Sequence, residues 1–138
     1  MKTLFRLYFV LTAMISFSGC DESVKNAVEK QLIEVNQVKI YVFDEGKETI
    51  SNTENVITIK NQDSVNMLKE SISDLPADFY KCGYSGAIEF FKNNESISNM
   101  SFNIMPDCNH IVFRVKDRMI SRKLTEQGII LLKNYCKK

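Results

Sequence analysis

The chain has 138 residues, of which 44% are hydrophobic and 25% charged, with 18 basic side chains against 17 acidic ones and a formal charge of +1. Domains typically run to about 100–150 residues, so this length holds one, and the composition excludes a disordered or low-complexity chain. A near-neutral balance also excludes nucleic-acid binding, where a basic face supplies most of the affinity.

The first six residues carry Lys2 and Arg6, Leu7 to Ile15 is almost wholly apolar, and Ser16-Phe17-Ser18-Gly19-Cys20 follows with mostly small residues. Positive end, apolar run and small-residue exit are the parts of an export signal. A retained transmembrane helix would need roughly 20 apolar residues, and the uncharged run from Leu7 to Cys20 falls short of that. Loss of residues 1–19 takes Lys2 and Arg6 away, leaving 16 basic against 17 acidic side chains and a net charge of −1.

Ser18-Gly19-Cys20 resembles the lipobox of bacterial lipoproteins, which ends in two small residues and a cysteine; Phe17 stands where that pattern usually has an aliphatic residue. The resemblance covers only the first twenty residues. It implies cleavage before Cys20, lipid on the Cys20 sulfur and an acylated new amino terminus; separately, no cofactor is expected. Each buried methylene contributes ~0.8 kcal/mol, so one acyl chain holds a protein marginally and two or three hold it stably. The implied location is the bacterial cell envelope. Asp21 directly behind the cysteine implies the inner membrane in enteric bacteria and surface display in some other groups.

Residues 20–36 form the lipidated start. Val24, Val28, Leu32 and Val35 make a short amphipathic helix pattern with Ser23 as its cap, or else a tether. The single globular domain then covers 37–138. Val38, Ile40 and Val42 alternate with polar or aromatic neighbours and predict a strand. Asp44-Glu45-Gly46-Lys47 reads as a turn, and Val56–Ile59 as a second strand. Over 62–75 the spacing of Val65, Leu68, Ile72 and Leu75 predicts a helix, capped by Asn61 or Asp63 and stopped by Pro76. Three more strands follow at 87–91, 98–105 and 111–115, joined by Lys92-Asn93-Asn94-Glu95 and Pro106-Asp107-Cys108-Asn109 turns. Thr125 caps a last helix, with Leu124 stapling onto Ile129. The prediction is an α+β domain: roughly five antiparallel strands in the order (α)ββαβββα, two or three helices on one face and a wet second face.

With Cys20 carrying lipid, Cys82, Cys108 and Cys136 remain in an oxidising compartment. If Asn93-Asn94 forms a tight turn, hairpin partners sum to 187 and residue 105 lies opposite Cys82, which brings the Cys108 loop to the same end of the sheet. A Cys82–Cys108 disulfide is favoured, with Cys136 the alternative partner for either. No C-x-x-C occurs and His110 is the sole histidine, so no metal site is expected.

His110 has no identifiable nucleophile or orienting group beside it, Asp74, Asp78 and Glu89 are dispersed, and Lys81-Cys82-Gly83-Tyr84-Ser85-Gly86 lacks the elements of a phosphate loop. Its glycines suit a tight backbone path instead. The expectation is therefore not an enzyme but a membrane-anchored protein-binding module of the inhibitor, immunity or exclusion type. It would meet an envelope or secreted protein through the sheet or the Cys82–Cys108 end. The alternatives are a structural accessory subunit of an envelope complex, docking through Tyr41, Phe43 and Val112, and a hydrolase using His110.

Overall fold

Hydrophobic alternation along the middle of the chain produces one antiparallel sheet, and three helices cover one of its faces. The computed structural model describes residues 24–44, 55–79 and 82–137. The leader, Cys20, Asp21, Ser23 and most of the Asp44–Lys47 turn lie outside these residues. In chain order the elements are α1 (Val24–Gln31), β1 (Gln37–Val42), β2 (Val56–Ile59), α2 (Gln62–Lys69), β3 (Ile72–Pro76), β4 (Gly86–Lys92), β5 (Glu95–Asn103), β6 (His110–Val115), β7 (Arg118–Leu124) and α3 (Glu126–Cys136). The strands lie side by side as β2-β1-β4-β5-β6-β7-β3.

The α+β class and the one-sided helical layer match the sequence expectation, but the described residues contain seven strands rather than five. The helix expected over 62–75 ends at Lys69, with Glu70 as its C-cap. Ser71 then turns the chain, its backbone N–H and its hydroxyl both donating to the Leu68 carbonyl at 3.2 and 2.6 Å. Ile72 is buried all the same, but on the edge strand β3, paired with Leu124 of β7. The strand β7 itself, RMISRKL, pairs with β6 from Arg118 to Lys123.

The even-numbered side of β1 and β4 continues into Met100 and Phe102, then Ile111 and Phe113, all fully buried or nearly so. Val28, Leu32 and Val35 from α1 and its following turn, Val65 and Leu68 from α2, and Leu132 from α3 close over this face. Burying a Leu, Ile or Phe side chain contributes about 1.5–3 kcal/mol, so this layer is the main source of stability.

The helix caps follow the sequence. Asn61 accepts from the Ser64 N–H at 3.0 Å and Thr125 from the Gly128 N–H at 3.1 Å, each satisfying a donor at a helix start. Asn93 and Asn94 both adopt positive φ, 49° and 69°, the backbone of a two-residue hairpin turn that suits asparagine. Next to that turn, partners sum to 187, as at Lys92 and Glu95. An irregularity between Phe90 and Phe91 moves the rest of the ladder to 188, as at Gly86 and Phe102. The alignment of residue 105 with Cys82 therefore shifts by one, and β4 starts only at Gly86.

Candidate functional site

The second face of the sheet is not uniformly wet. β3 and β4 run parallel at separated positions in the sheet, so the chain from Ala77 to Ser85 must cross β7, β6 and β5 to join them. Its described parts, 77–79 and 82–85, lie on the second face. At one side the Ala77 N–H donates to the Ser121 carbonyl at 3.2 Å, and the Ser121 hydroxyl donates to the Asp78 carbonyl at 3.1 Å. At the other, the Asn103 amide donates to the Gly83 carbonyl at 2.9 Å, and the Ser85 N–H donates to the Phe102 carbonyl at 2.8 Å. Beneath this segment Asn103, His110 and Ser121 are buried, at 0%, 1% and 5% exposure. The Asn103 amide, the His110 Nδ1 and the Ser121 hydroxyl each meet backbone of the crossing or of their own loop, the kind of pairing that buried polar groups need.

Cys82 in the crossing and Cys108 in the β5–β6 loop form the disulfide pair, Cα atoms 6.5 Å apart across 26 residues of chain. Cys136 on α3 is a free, half-buried thiol whose pKa burial pushes up to about 11. Gly83 takes a φ of 70°, which favours glycine. At Gly86 a Cβ would meet the Tyr41 carbonyl oxygen at 2.3 Å and the Phe102 ring at 2.7 Å, so the strand can enter the sheet only with glycine there. These are the tight-path glycines of the 81–86 segment.

The crossing decides what its residues can do chemically. His110 turns its Nδ1 to the Cys108 carbonyl, and its ring lies 6.0 Å from that of Tyr84. Imidazole, disulfide and Asn103 thus form one packed cluster in which neither sulfur is a free nucleophile. The dispersed carboxylates stay apart: Asp74 is on the edge strand β3, Asp78 in the crossing, and Glu89 on β4 with three strands between it and β3. Glu89 accepts from the Tyr41 hydroxyl at 2.7 Å and the Ser96 hydroxyl at 2.6 Å. Burial, aided by the bond to Glu89 and its charge, raises the Tyr41 pKa to about 12. No cluster of His, Cys, Asp and Glu among the described residues could hold a metal ion.

The apolar patch expected from Tyr41, Phe43 and Val112 is not open. Val112 is 4% exposed, Tyr41 and Phe43 are half-buried, and the Phe43 N–H donates to the Ser85 carbonyl at 3.0 Å, at the end of the crossing. The apolar exposure lies elsewhere. Phe79 in the crossing is 61% exposed, and Leu75 on the adjoining edge strand matches it. Met119, also exposed, sits two residues along β7 from Ser121 and on the same face. The sequence reading missed Phe79 and Asn103, and nothing in the local pattern marks either; only the crossing gives them their roles.

Two clefts on the described surface bear on the site. One, of about 160 Å³, lies between α1 and the end of α2, floored by Val28 and Ile72 and rimmed by Lys25, Glu29, Lys69 and Glu70. Burial lowers the Lys69 pKa. The other, of about 470 Å³, is an open groove beside the β4–β5 and β6–β7 hairpin tips, with Ile97, Asn99, Arg114, Lys116 and Asp117 in its walls. No helix among the described residues is long and apolar enough to cross a membrane. Compared with family models, curated proteins and solved structures, the chain matches none.

Proposed function

We propose that this protein is a bacterial lipoprotein, cut before Cys20 and held on an envelope membrane by lipid on that cysteine, whose domain is a non-catalytic protein-binding module. The leader and the Ser18-Gly19-Cys20 exit support the anchor, and an anchor of two or three acyl chains is stable. The observation that carries the binding role is the crossing from Ala77 to Ser85. Its described parts are fastened by a disulfide and by hydrogen bonds at both sides, and Phe79 in it is exposed, as are Leu75 on β3 and Met119 on β7. An exposed aromatic brings a large apolar contact area to a partner, which is why such residues serve as anchors in interfaces. His110 in a packed structural cluster, with both neighbouring sulfurs bonded to each other, favours this reading over a hydrolase.

A photo-crosslinking amino acid at position 79, in cells carrying the lipidated protein, tests the module. The expected result is one discrete cross-linked protein, absent when the crosslinker stands at the exposed Lys133 of α3. Equal diffuse labelling from both positions would contradict it.

A further inference from the structure

Residues 21–23 alone separate Cys20 from the start of α1 at Val24. A chain spans at most ~3.6 Å per residue, so Val24 lies within about 14 Å of Cys20 whatever path those residues take. The fold determines which end of the domain is held there. Lys25 and Glu29 of α1 share a cleft with Lys69 and Glu70 at the end of α2 and with Ile72 at the start of β3. Ile72 pairs with Leu124, and the Thr125 N–H at the head of α3 donates to the Ser71 carbonyl at 2.8 Å. The start of α1, the end of α2, the start of β3 and the start of α3 therefore gather at one end of the sheet.

The opposite end is equally defined. The turn that follows α1 reaches the β4–β5 hairpin tip, where the Asn36 N–H donates to the Phe91 carbonyl at 3.0 Å and Lys92 pairs with Glu34. The β6–β7 tip at Lys116 and Asp117 shares a groove with Ile97 beside it. From Leu124 back to Arg118, β7 rises by about 20 Å at roughly 3.4 Å per residue. The two ends of the domain are thus separated by more than the tether can reach.

Resting on the lipid-anchor reading above, we propose that the bilayer lies against the end where α1 begins, so that the sheet stands on end with both hairpin tips directed away from the membrane. The rim of that end carries charges of both signs, Lys25 and Lys69 with Glu29 and Glu70, so the short tether and not electrostatic attraction sets the orientation. Standing on end, the sheet holds the crossing, fastened to Ser121 and Asn103 close to the Leu124 end of β7, on the membrane-near half of its second face. The groove beside the hairpin tips faces the aqueous compartment.

The test uses the full lipidated protein, purified from its membrane and placed in phosphatidylcholine vesicles that contain a lipid with a quencher on its headgroup. A fluorophore is attached through Glu126→Cys at the head of α3, or through Asp117→Cys at the distal tip, each with Cys136→Ser. Both labelled positions are exposed. The expected result is several-fold stronger quenching at position 126 than at 117. Equal quenching, or stronger quenching at 117, in protein whose mass shows acyl chains overturns the orientation while leaving the anchor in place. Absence of acyl chains on Cys20 overturns the anchor reading itself. A Gly/Ser insertion of about a dozen residues after Glu22 extends the reach by about 20 Å as a flexible coil. It is expected to reduce the difference, and an unchanged difference would overturn the role given to the tether.

Discussion

Gly128 offers a test in which two physical rules predict opposite signs. It lies inside α3, where replacing glycine by alanine ordinarily stabilises by about 1 kcal/mol through helix propensity. Here a Cβ would meet the Ser71 Cβ at 2.4 Å, its Cα at 2.8 Å and its carbonyl oxygen at 3.0 Å. Most of that overlap is with backbone, which cannot rotate aside, so α3 must lift from the Ser71 turn that follows α2. The lift strains the Thr125 N–H bond to the Ser71 carbonyl, 2.8 Å, and draws the fully buried Leu132 from the core. Overpacking of this kind costs about 1–3 kcal/mol, which outweighs the propensity gain. Gly128→Ala is expected to destabilise by up to about 2 kcal/mol net, a fall in Tm of up to about 8 °C for a domain of this size. Urea denaturation of the mature protein followed by far-ultraviolet circular dichroism measures it. Gln127→Ala, one residue earlier and exposed, is the control and should move stability by no more than about 0.5 kcal/mol. A rise in the urea midpoint of Gly128→Ala would refute the close packing of α3 on Ser71.

Other consequences can be checked in the same way. Replacing Cys82 and Cys108 together by serine reopens a loop of 26 residues and should cost about 3.5 kcal/mol in the chain-entropy treatment, with reductant lowering the Tm of the wild type and not of the variant. Asn94→Val places a β-branched residue at a φ of 69° and should cost about 1–2 kcal/mol, whereas Asn94→Gly should be tolerated or slightly stabilising. Burial pushes the Cys136 thiol up to about 11, so at pH 8 it should react with a disulfide reagent far more slowly than it does in urea. Because that folded-state pKa lies above the unfolded one, the linked stability is fully present below about pH 8.5 and is lost as pH rises toward 11. A thiol equally reactive in the folded and unfolded protein would contradict the burial.

What the sequence made legible was local. Asn61 and Thr125 announce helix starts because their side chains satisfy N–H groups a few residues on, and Asn93-Asn94 announces a turn because asparagine tolerates positive φ. Alternation from Val38 and from Met100 identifies strands because the face toward the helices is apolar without interruption. The two missed strands break those rules for physical reasons. In β7 the core-facing positions are Ile120, Arg122 and Leu124, so a cation interrupts the alternation, and pairing with β6 holds the strand instead. In β3 only Ile72 is buried, and its spacing from Val65 and Leu68 continues a helical stripe equally well; Ser71, by turning back onto Leu68, decides between the two. The crossing was beyond reach because it depends on β3 existing and on its place at the sheet edge. Without it the second face reads as wet, Val112 as available for docking, and His110 as a residue at a loop mouth. The Cys82–Cys108 pairing could be reached despite a register one residue off, since cysteines in adjoining loops tolerate such a shift.

The measurement that tests the central claim most directly is the intact mass of the mature protein extracted from its native membrane. The account predicts a chain beginning at Cys20, heavier than residues 20–138 by a diacylglycerol group with or without a further acyl chain, and lighter by two hydrogens for one disulfide. A mass that retains residues 1–19, or that begins elsewhere with Cys20 unmodified, would contradict it.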